Sequence, residues 1–396
     1  MLSERVGKIK PSPTFAMDTK AKAMKAEGID IVNFGVGEPD FDTPDHIKEA
    51  AIKAIRDGFT KYTAVGGIDP LKDAIIEKLK KDNGLDYTRE QIIVSCGAKH
   101  SLYNIAQACY GPGDEVLIPS PYWVSYPDQV LLNDAVPVFV KTEEKDGFAL
   151  RPEALEAKIT KKTKALILNS PSNPTGGIYD RKTLQAVAEI AVKHNILVVA
   201  DEIYEKLVYD GHEHVSIGTL GKEIKELSIA VNGFSKSYAM TGWRMGYAAG
   251  PKDIVKAMTN IQSQSTASPA SMVQKAAIAA LTGPQDSVGM MRDEFDRRRK
   301  FLVQGLNSID GISCFTPAGA FYAFPNVSAL YGKKAGSRPI NNSRDFALYL
   351  LEEANIALVH GEVFGDDNYI RISYATSMET IDKAIKRLRE AVARLA

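Results

Sequence analysis

Lys236 lies in Asn232-Gly-Phe-Ser-Lys-Ser-Tyr238, among small and aromatic residues, with Arg244 eight positions on. An amine becomes nucleophilic when its ammonium form is disfavoured, so this setting suits a Schiff base with a carbonyl compound. Arg244 stays charged and presents a planar fork of donors, which suits a phosphate or carboxylate. A lone lysine beside a turn is as a rule a surface residue with a buried stem. The chemical reading of Lys236 therefore rests on what else the chain brings to the same place.

Other groups with chemical potential stand where short apolar runs end. Cys96-Gly97-Ala98-Lys99 follows one such run and opens a helical pattern, so the amides of Gly97, Ala98 and Lys99 form an anion site or a plain connector. Pro119-Ser-Pro-Tyr-Trp123 puts an indole after the next, to stack on a flat ring or to pack. Asn169-Ser-Pro-Ser-Asn173-Pro-Thr-Gly176 is a loop stiffened by proline, holding Asn169 and Asn173. In Asp201-Glu-Ile-Tyr204 an apolar strand ends in a carboxylate, which needs a cationic or hydrogen-bonded partner. The Gly35-Val-Gly37-Glu-Pro-Asp-Phe-Asp-Thr-Pro44 stretch is a close-approach loop or a tight connector. An anion turn, an aromatic, a carboxylate, a phenol and a lysine are the parts that pyridoxal phosphate requires.

The elements that must position these groups alternate. Strands are expected at 91–95, 115–119, 136–140, 165–168, 197–201, 228–231 and 245–249, with amphipathic helices over most of the connections. That pattern predicts an α/β fold, a mostly parallel sheet sandwiched by helices, with ligands beyond the carboxyl ends of its strands. A long helical stretch over 269–306 leads into an α+β unit with strands at 313–316, 320–324, 356–359 and 369–374 and helices at 343–354 and 378–394. The expected division is a large domain of residues 46–290 and a smaller one built from 1–45 plus 291–396.

Composition narrows the classes. The 396 residues carry 49 Lys and Arg against 49 Asp and Glu, which speaks against a nucleic-acid footprint or a basic membrane surface. The mixed charges of Arg292 to Lys300 read as the solvated face of a helix. Three scattered cysteines, Cys96, Cys109 and Cys314, give neither a disulfide framework nor a metal pattern, and no metal is expected. His212 and His214 read as surface residues. With no apolar run long enough to span a bilayer and no apolar leader, a cytoplasmic protein is expected. There is no Gly-x-Gly-x-x-Gly turn after the first strand to favour a dinucleotide enzyme.

The chain resembles the fold-type-I pyridoxal-phosphate aminotransferases of class I, and among them the bacterial aspartate aminotransferase branch. The resemblance runs from Lys10-Pro-Ser-Pro-Thr14 to Arg371-Ile-Ser-Tyr-Ala-Thr-Ser377. Its motifs are Val36-Gly-Glu-Pro-Asp-Phe, Ser120-Pro-Tyr-Trp-Val-Ser-Tyr-Pro, Asn173-Pro-Thr-Gly, Asp201-Glu-Ile-Tyr and Ser235-Lys-Ser-Tyr-Ala-Met-Thr-Gly-Trp-Arg-Met-Gly-Tyr. It implies that Lys236 forms the internal aldimine with pyridoxal 5′-phosphate and then carries a proton, that Asp201 keeps the ring nitrogen protonated, and that Tyr204 bonds the ring hydroxyl. Trp123 is implied to stack on the ring. Gly97, Ala98, Lys99, Ser235 and Arg244 are implied to hold the phosphate, with Tyr62 reaching it from the other subunit of a homodimer. Arg371 is implied to clamp the substrate α-carboxylate, assisted by Asn173 and the Gly37 amide.

Two departures from the family pattern matter. Gly233 stands where many relatives have a serine, which removes one phosphate contact. No arginine occurs in Ile261 to Pro269, where another branch reads the distal carboxylate, and that task is implied to pass to Lys99 with Ser12 and Thr14. The expected reaction is ping-pong transamination between L-aspartate and 2-oxoglutarate. Prephenate or aromatic transamination and carbon-sulfur β-elimination remain as alternatives.

Overall fold

The computed structural model describes residues 2, 4–9 and 13–396, with the side chains of residues 13–18 outside the description. A first short strand, Val32–Asn33 (β1), is followed by seven that form one sheet: Ile92–Ser95 (β2), Glu115–Ser120 (β3), Val136–Lys141 (β4), Thr163–Asn169 (β5), Leu197–Asp201 (β6), Ser228–Gly233 (β7) and Gly246–Ala249 (β8). Their order is β2-β8-β7-β6-β5-β3-β4. All pairings are parallel except the two made by β8, which runs antiparallel between β2 and β7. β2, β6, β7 and β8 are buried along their whole length, as a sheet covered on both faces requires.

Helices supply the two covers, and their ends follow local sequence. Arg181–His194 starts where Asp180 accepts from the Thr183 amide and stops at Asn195 in the left-handed region. Ala98–Cys109 and Lys252–Ser265 pack on each other and flank β2. The expected continuous helix over 269–306 is instead two, Ser271–Thr282 and Asp286–Asn307. Gly283-Pro284 separates them, because proline disfavours helical geometry in the residue before it.

The C-terminal part adds Tyr322–Ala323 (β9), a hairpin of Lys334–Ala335 (β10) and Arg338–Pro339 (β11), Ile356–Ala357 (β12), Val359–His360 (β13) and Ile370–Ser373 (β14). Strands β13, β14 and β9 form an antiparallel sheet, and β1 pairs in parallel with β12, tying the N-terminal segment to the C-terminal one. Val32 and Phe34 accordingly share a core with Phe346, Ile356, Ile372 and Leu388. The expected strand at 313–316 reduces to an isolated bridge between Ser313 and Asn326. The expected strand at 356–359 is broken at Leu358 into β12 and β13.

The 292–300 segment departs from its expected solvated role. Arg298 and Arg299 are 5% and 0% exposed. Arg298 pairs with Asp40 and Glu294, and Arg299 pairs with Asp210 and Asp296 and donates to the Pro317 carbonyl at 2.6 Å. Charges within a helix can neutralise one another on the surface, but distant Asp40 and Asp210 draw these two inward. Among the described residues, no helix is long and apolar enough to cross a membrane.

Candidate active site

A cavity of about 1160 Å³ opens at the carboxyl ends of the central strands, where a parallel sheet places its loops. Trp123, Asn173, Asp201, Tyr204, Lys236 and Arg371, predicted from five separate stretches of sequence, all line it.

Asp201 ends β6 and is 4% exposed. Tyr126 donates its hydroxyl to Oδ2 at 2.7 Å, and the Ile203 amide donates to Oδ1 at 3.3 Å. Burial nevertheless lifts its pKa from 3.8 to about 6, the two hydrogen bonds opposing the shift in part. A cationic partner at the cavity is what this carboxylate still requires. Asn169, at the end of β5, donates to the Asp201 carbonyl at 3.0 Å and accepts the Asn173 amide at 2.8 Å, so adjacent strand ends hold one another.

Lys236 follows β7. Burial lowers its pKa from 10.5 to about 8, giving an appreciable neutral fraction near neutral pH. Its Nζ donates to the Gly37 carbonyl at 2.5 Å and lies 5.9 Å from the Tyr204 ring centre. The Tyr204 hydroxyl meets that of Tyr322 at 2.8 Å, and burial raises the Tyr204 pKa well above its ordinary value.

The anion side is built from backbone. Gly97, at φ 91°, precedes the helix Ala98–Cys109, and no side chain caps that helix. The Gly97 amide does not fill its expected role, because it turns back to the Ser95 carbonyl at 2.7 Å. The amides of Ala98 and Lys99 are left at the helix start, where no carbonyl precedes them in the helix. A Cβ at Gly97 would sit 2.6 Å from Arg244 Nη2, so the absent side chain lets the guanidinium lie over the turn. Arg244 itself has φ 53°, rare for a branched-chain or long residue, and is held by donation from Nη1 to the Thr241 carbonyl at 2.8 Å. Ser235 lines the same cavity. Gly233 has a structural reason: a Cβ there would meet the Gly246 Cα and the Met245 carbonyl at 3.1 Å.

Across the cavity, β14 carries Arg371, 3% exposed. It donates to Asn173 Oδ1 at 3.1 Å and to the Gly35 carbonyl at 2.6 Å, while its buried Nε has no partner. An unsatisfied buried donor on a charged fork marks a place for an anion. Lys99 Nζ lies 4.8 Å over the Trp123 ring, and burial lowers its pKa.

Tyr62 is 95% exposed and does not line the cavity of its own chain. Ser12 and the side chain of Thr14 lie outside the described residues, although Lys22, further along the same helix (Pro13–Ala26), reaches the cavity. Sequence reading missed Tyr126 and Tyr322. The first sits inside the Ser120-Pro-Tyr-Trp-Val-Ser-Tyr-Pro motif, and the second had no signal beyond an aromatic run. It also missed a buried cluster behind the site. His214, expected at the surface, lies 3.3 Å from Glu202, and Glu205 pairs with Lys78. These three acidic and imidazole groups converge as metal ligands would, but the Lys78 ammonium already supplies the cation.

The model of the family described as aminotransferase class I and II matches residues 29–388, and the chain belongs to that family. It is 50% identical over 387 residues to an aspartate aminotransferase of Geobacillus stearothermophilus, covering 98% of each chain. An aspartate/prephenate aminotransferase of Nitrosomonas europaea is 48% identical over 390 residues, again 98% of each. The solved aspartate aminotransferase of Rhizobium meliloti superposes with a TM-score of 0.97 at 44% identity over the full length of both. The mostly parallel sheet flanked by helices is thus the fold-type-I architecture. Enzymes of this type use pyridoxal 5′-phosphate. The groups present fit it: an amine for its aldehyde, a buried carboxylate for its ring nitrogen, a phenol for its hydroxyl, and helix-start amides with an arginine for its phosphate.

Proposed function

We propose that the chain is an aspartate aminotransferase that moves the amino group of L-aspartate to 2-oxoglutarate in two half-reactions at one site. The observation that carries the reading is the convergence of the Lys236 amine, the Asp201 carboxylate and the Arg371 fork in one cavity. When bound, the pyridoxal ring supplies an electron sink for charge developing at the substrate α-carbon. Above about pH 6 Asp201 is a carboxylate, and it would hold a proton on the ring nitrogen. Tyr126 and the Ile203 amide aim it. Lys236 Nζ, partly neutral near pH 8, would take the proton from the substrate α-carbon and deliver it to the carbon that was the cofactor's aldehyde, the net transfer that transamination requires.

Tyr204, oriented by Tyr322, would bond the ring hydroxyl, and Trp123 would stack on the ring. The amides of Ala98 and Lys99, with Ser235 and Arg244, hold the phosphate. Arg371 takes the α-carboxylate in its fork, and Asn173 steadies the guanidinium. The Gly37 amide assists at the same carboxylate. Lys99, with Ser12 and Thr14, reads the distal carboxylate.

Tyr62 is read as serving a second copy of the chain, and its 95% exposure leaves it available to a neighbour's phosphate. This supports a homodimer with composite sites. The β1–β12 pairing supports a small domain of residues 1–45 plus 291–396 against a large one of 46–290, with the helix Asp286–Asn307 passing between them.

Prephenate is the second substrate reading. A lysine is a point charge on a flexible stem, so Lys99 tolerates longer side chains than an arginine fork, and the Nitrosomonas relative carries both substrates in its name. Specificity constants for aspartate, glutamate, prephenate, tyrosine and alanine test the assignment. Aspartate and glutamate are expected to lead, and an alanine value equal to aspartate would overturn the dicarboxylate reading.

A further inference from the structure

The Gly35–Pro44 loop meets two cations of the site, Arg371 and Lys236, through its backbone. Its Gly35 carbonyl accepts from Arg371 Nη2 at 2.6 Å, and its Gly37 carbonyl from Lys236 Nζ at 2.5 Å. A backbone carbonyl has no rotamer to adjust, so its position is set by whatever fixes the loop. Two anchors run to the segment that carries Lys236. Thr241 Oγ1 donates to Glu38 Oε2 at 2.9 Å, and Thr43 Oγ1 donates to the Ala239 carbonyl at 2.6 Å while accepting from Trp243 Nε1 at 3.0 Å.

The third anchor comes from outside the site. Arg298, on the helix Asp286–Asn307, donates from Nη1 to Asp40 Oδ1 at 2.7 Å and from Nε to Glu294 Oε1 at 2.9 Å. Its guanidinium carbon is 5.1 Å from the Phe41 ring centre and 5.6 Å from that of Phe295. The arginine is 5% exposed, so the bond to Asp40 is poorly screened and charge-assisted. One planar group thus spans two carboxylates and lies beside two rings, which an ammonium cannot reproduce.

We propose that Arg298, acting through Asp40 and Phe41, is a positioning residue for substrate binding. It holds the loop so that the Gly35 carbonyl keeps the Arg371 fork set to receive a carboxylate. The inference rests on reading Arg371 as the carboxylate clamp. Arg298 touches none of the reacting atoms, and its effect passes entirely through the loop.

The test uses the full chain loaded with pyridoxal phosphate, as wild type, D40N and R298K. D40N removes one charge of the loop, at an exposed position, and leaves the buried arginine paired with Glu294, so the fold is retained. Amide exchange over residues 35–41 is expected to rise roughly tenfold in D40N, with exchange elsewhere unchanged. KM for L-aspartate is expected to rise about tenfold with kcat within about threefold, and cofactor affinity is expected to hold. R298K should fall between wild type and D40N. Unchanged loop exchange and KM in D40N would overturn the proposal. So would a chain-wide rise in exchange with parallel loss of cofactor, which marks a general scaffold contact. Loop exchange reports on the clamp whichever amino acid is preferred, so absent aspartate turnover in wild type would reject the substrate assignment alone.

Discussion

The two faces of the cavity are built differently. The face proposed to receive the cofactor hangs on the ends of adjacent strands of one buried sheet, where Asp201, Asn169 and Asn173 are bonded to one another or to Tyr126. The face proposed to receive substrate is assembled from pieces far apart in sequence: Arg371 on a four-residue strand, the Gly35–Pro44 loop and Lys99. Strand ends in a common sheet fix geometry with little freedom, so the first face is rigid and specifies chemistry. The second depends on loop anchors and a flexible lysine, so it specifies which substrate is handled and tolerates variation.

Substitutions separate the faces, beginning with the largest effect. K236A removes the amine itself, and turnover is expected to fall at least about 10,000-fold, with loss of the bound cofactor's characteristic absorbance. Near-wild-type turnover would break the comparison at its root. R371L comes next, with kcat/KM for aspartate expected to fall about a thousandfold while cofactor affinity holds, since the buried fork is lost on the substrate face alone. If cofactor affinity falls in step, the faces are not separable.

D201N distinguishes function from stability on the cofactor face. Burial raises the Asp201 pKa from 3.8 to about 6, so the cofactor-free fold binds an extra proton between those values. The associated stability is present below pH 3.8 and lost as pH rises through 6. Cofactor-free D201N is therefore expected to gain Tm relative to wild type as pH rises from about 4 to about 6 and to keep that gain above it. Its cofactor affinity should be weakened throughout the neutral range. A Tm difference independent of pH would contradict the burial argument. K99A is the mildest: KM for aspartate is expected to rise about tenfold and that for alanine about twofold or less. Equal changes would reassign Lys99 to the phosphate turn.

What was legible in sequence follows the same division. Lys236, Asp201, Tyr204 and Asn173 stand at strand ends whose apolar runs are unmistakable, so alternation alone brought them together. Tyr322 could not be found this way, because its partner Tyr204 lies 118 positions earlier and only the packing of β9 against the turn after β6 joins them. Arg298 and Arg299 were misplaced for a related reason. Their helix carries acids at i−3 and i−4 that satisfy a surface reading, while the deciding partners Asp40 and Asp210 are remote. His214 likewise joined a buried cluster through Glu202, which sequence spacing does not reveal. Gly97 stands at the strand-to-helix turn expected from sequence, but its amide is not free for an anion, since a tight turn after β2 directs it back to Ser95. Local pattern reported the sheet and its exits, and long-range ion pairs escaped it.

The central claim is that Lys236 is the amine that engages the cofactor. Loading the purified chain with pyridoxal phosphate, reducing with borohydride and mapping the modified peptide by mass spectrometry tests this directly. The expected result is one phosphopyridoxyl group per chain, located on Lys236. A label on another lysine, or none after reduction of the loaded protein, would contradict it.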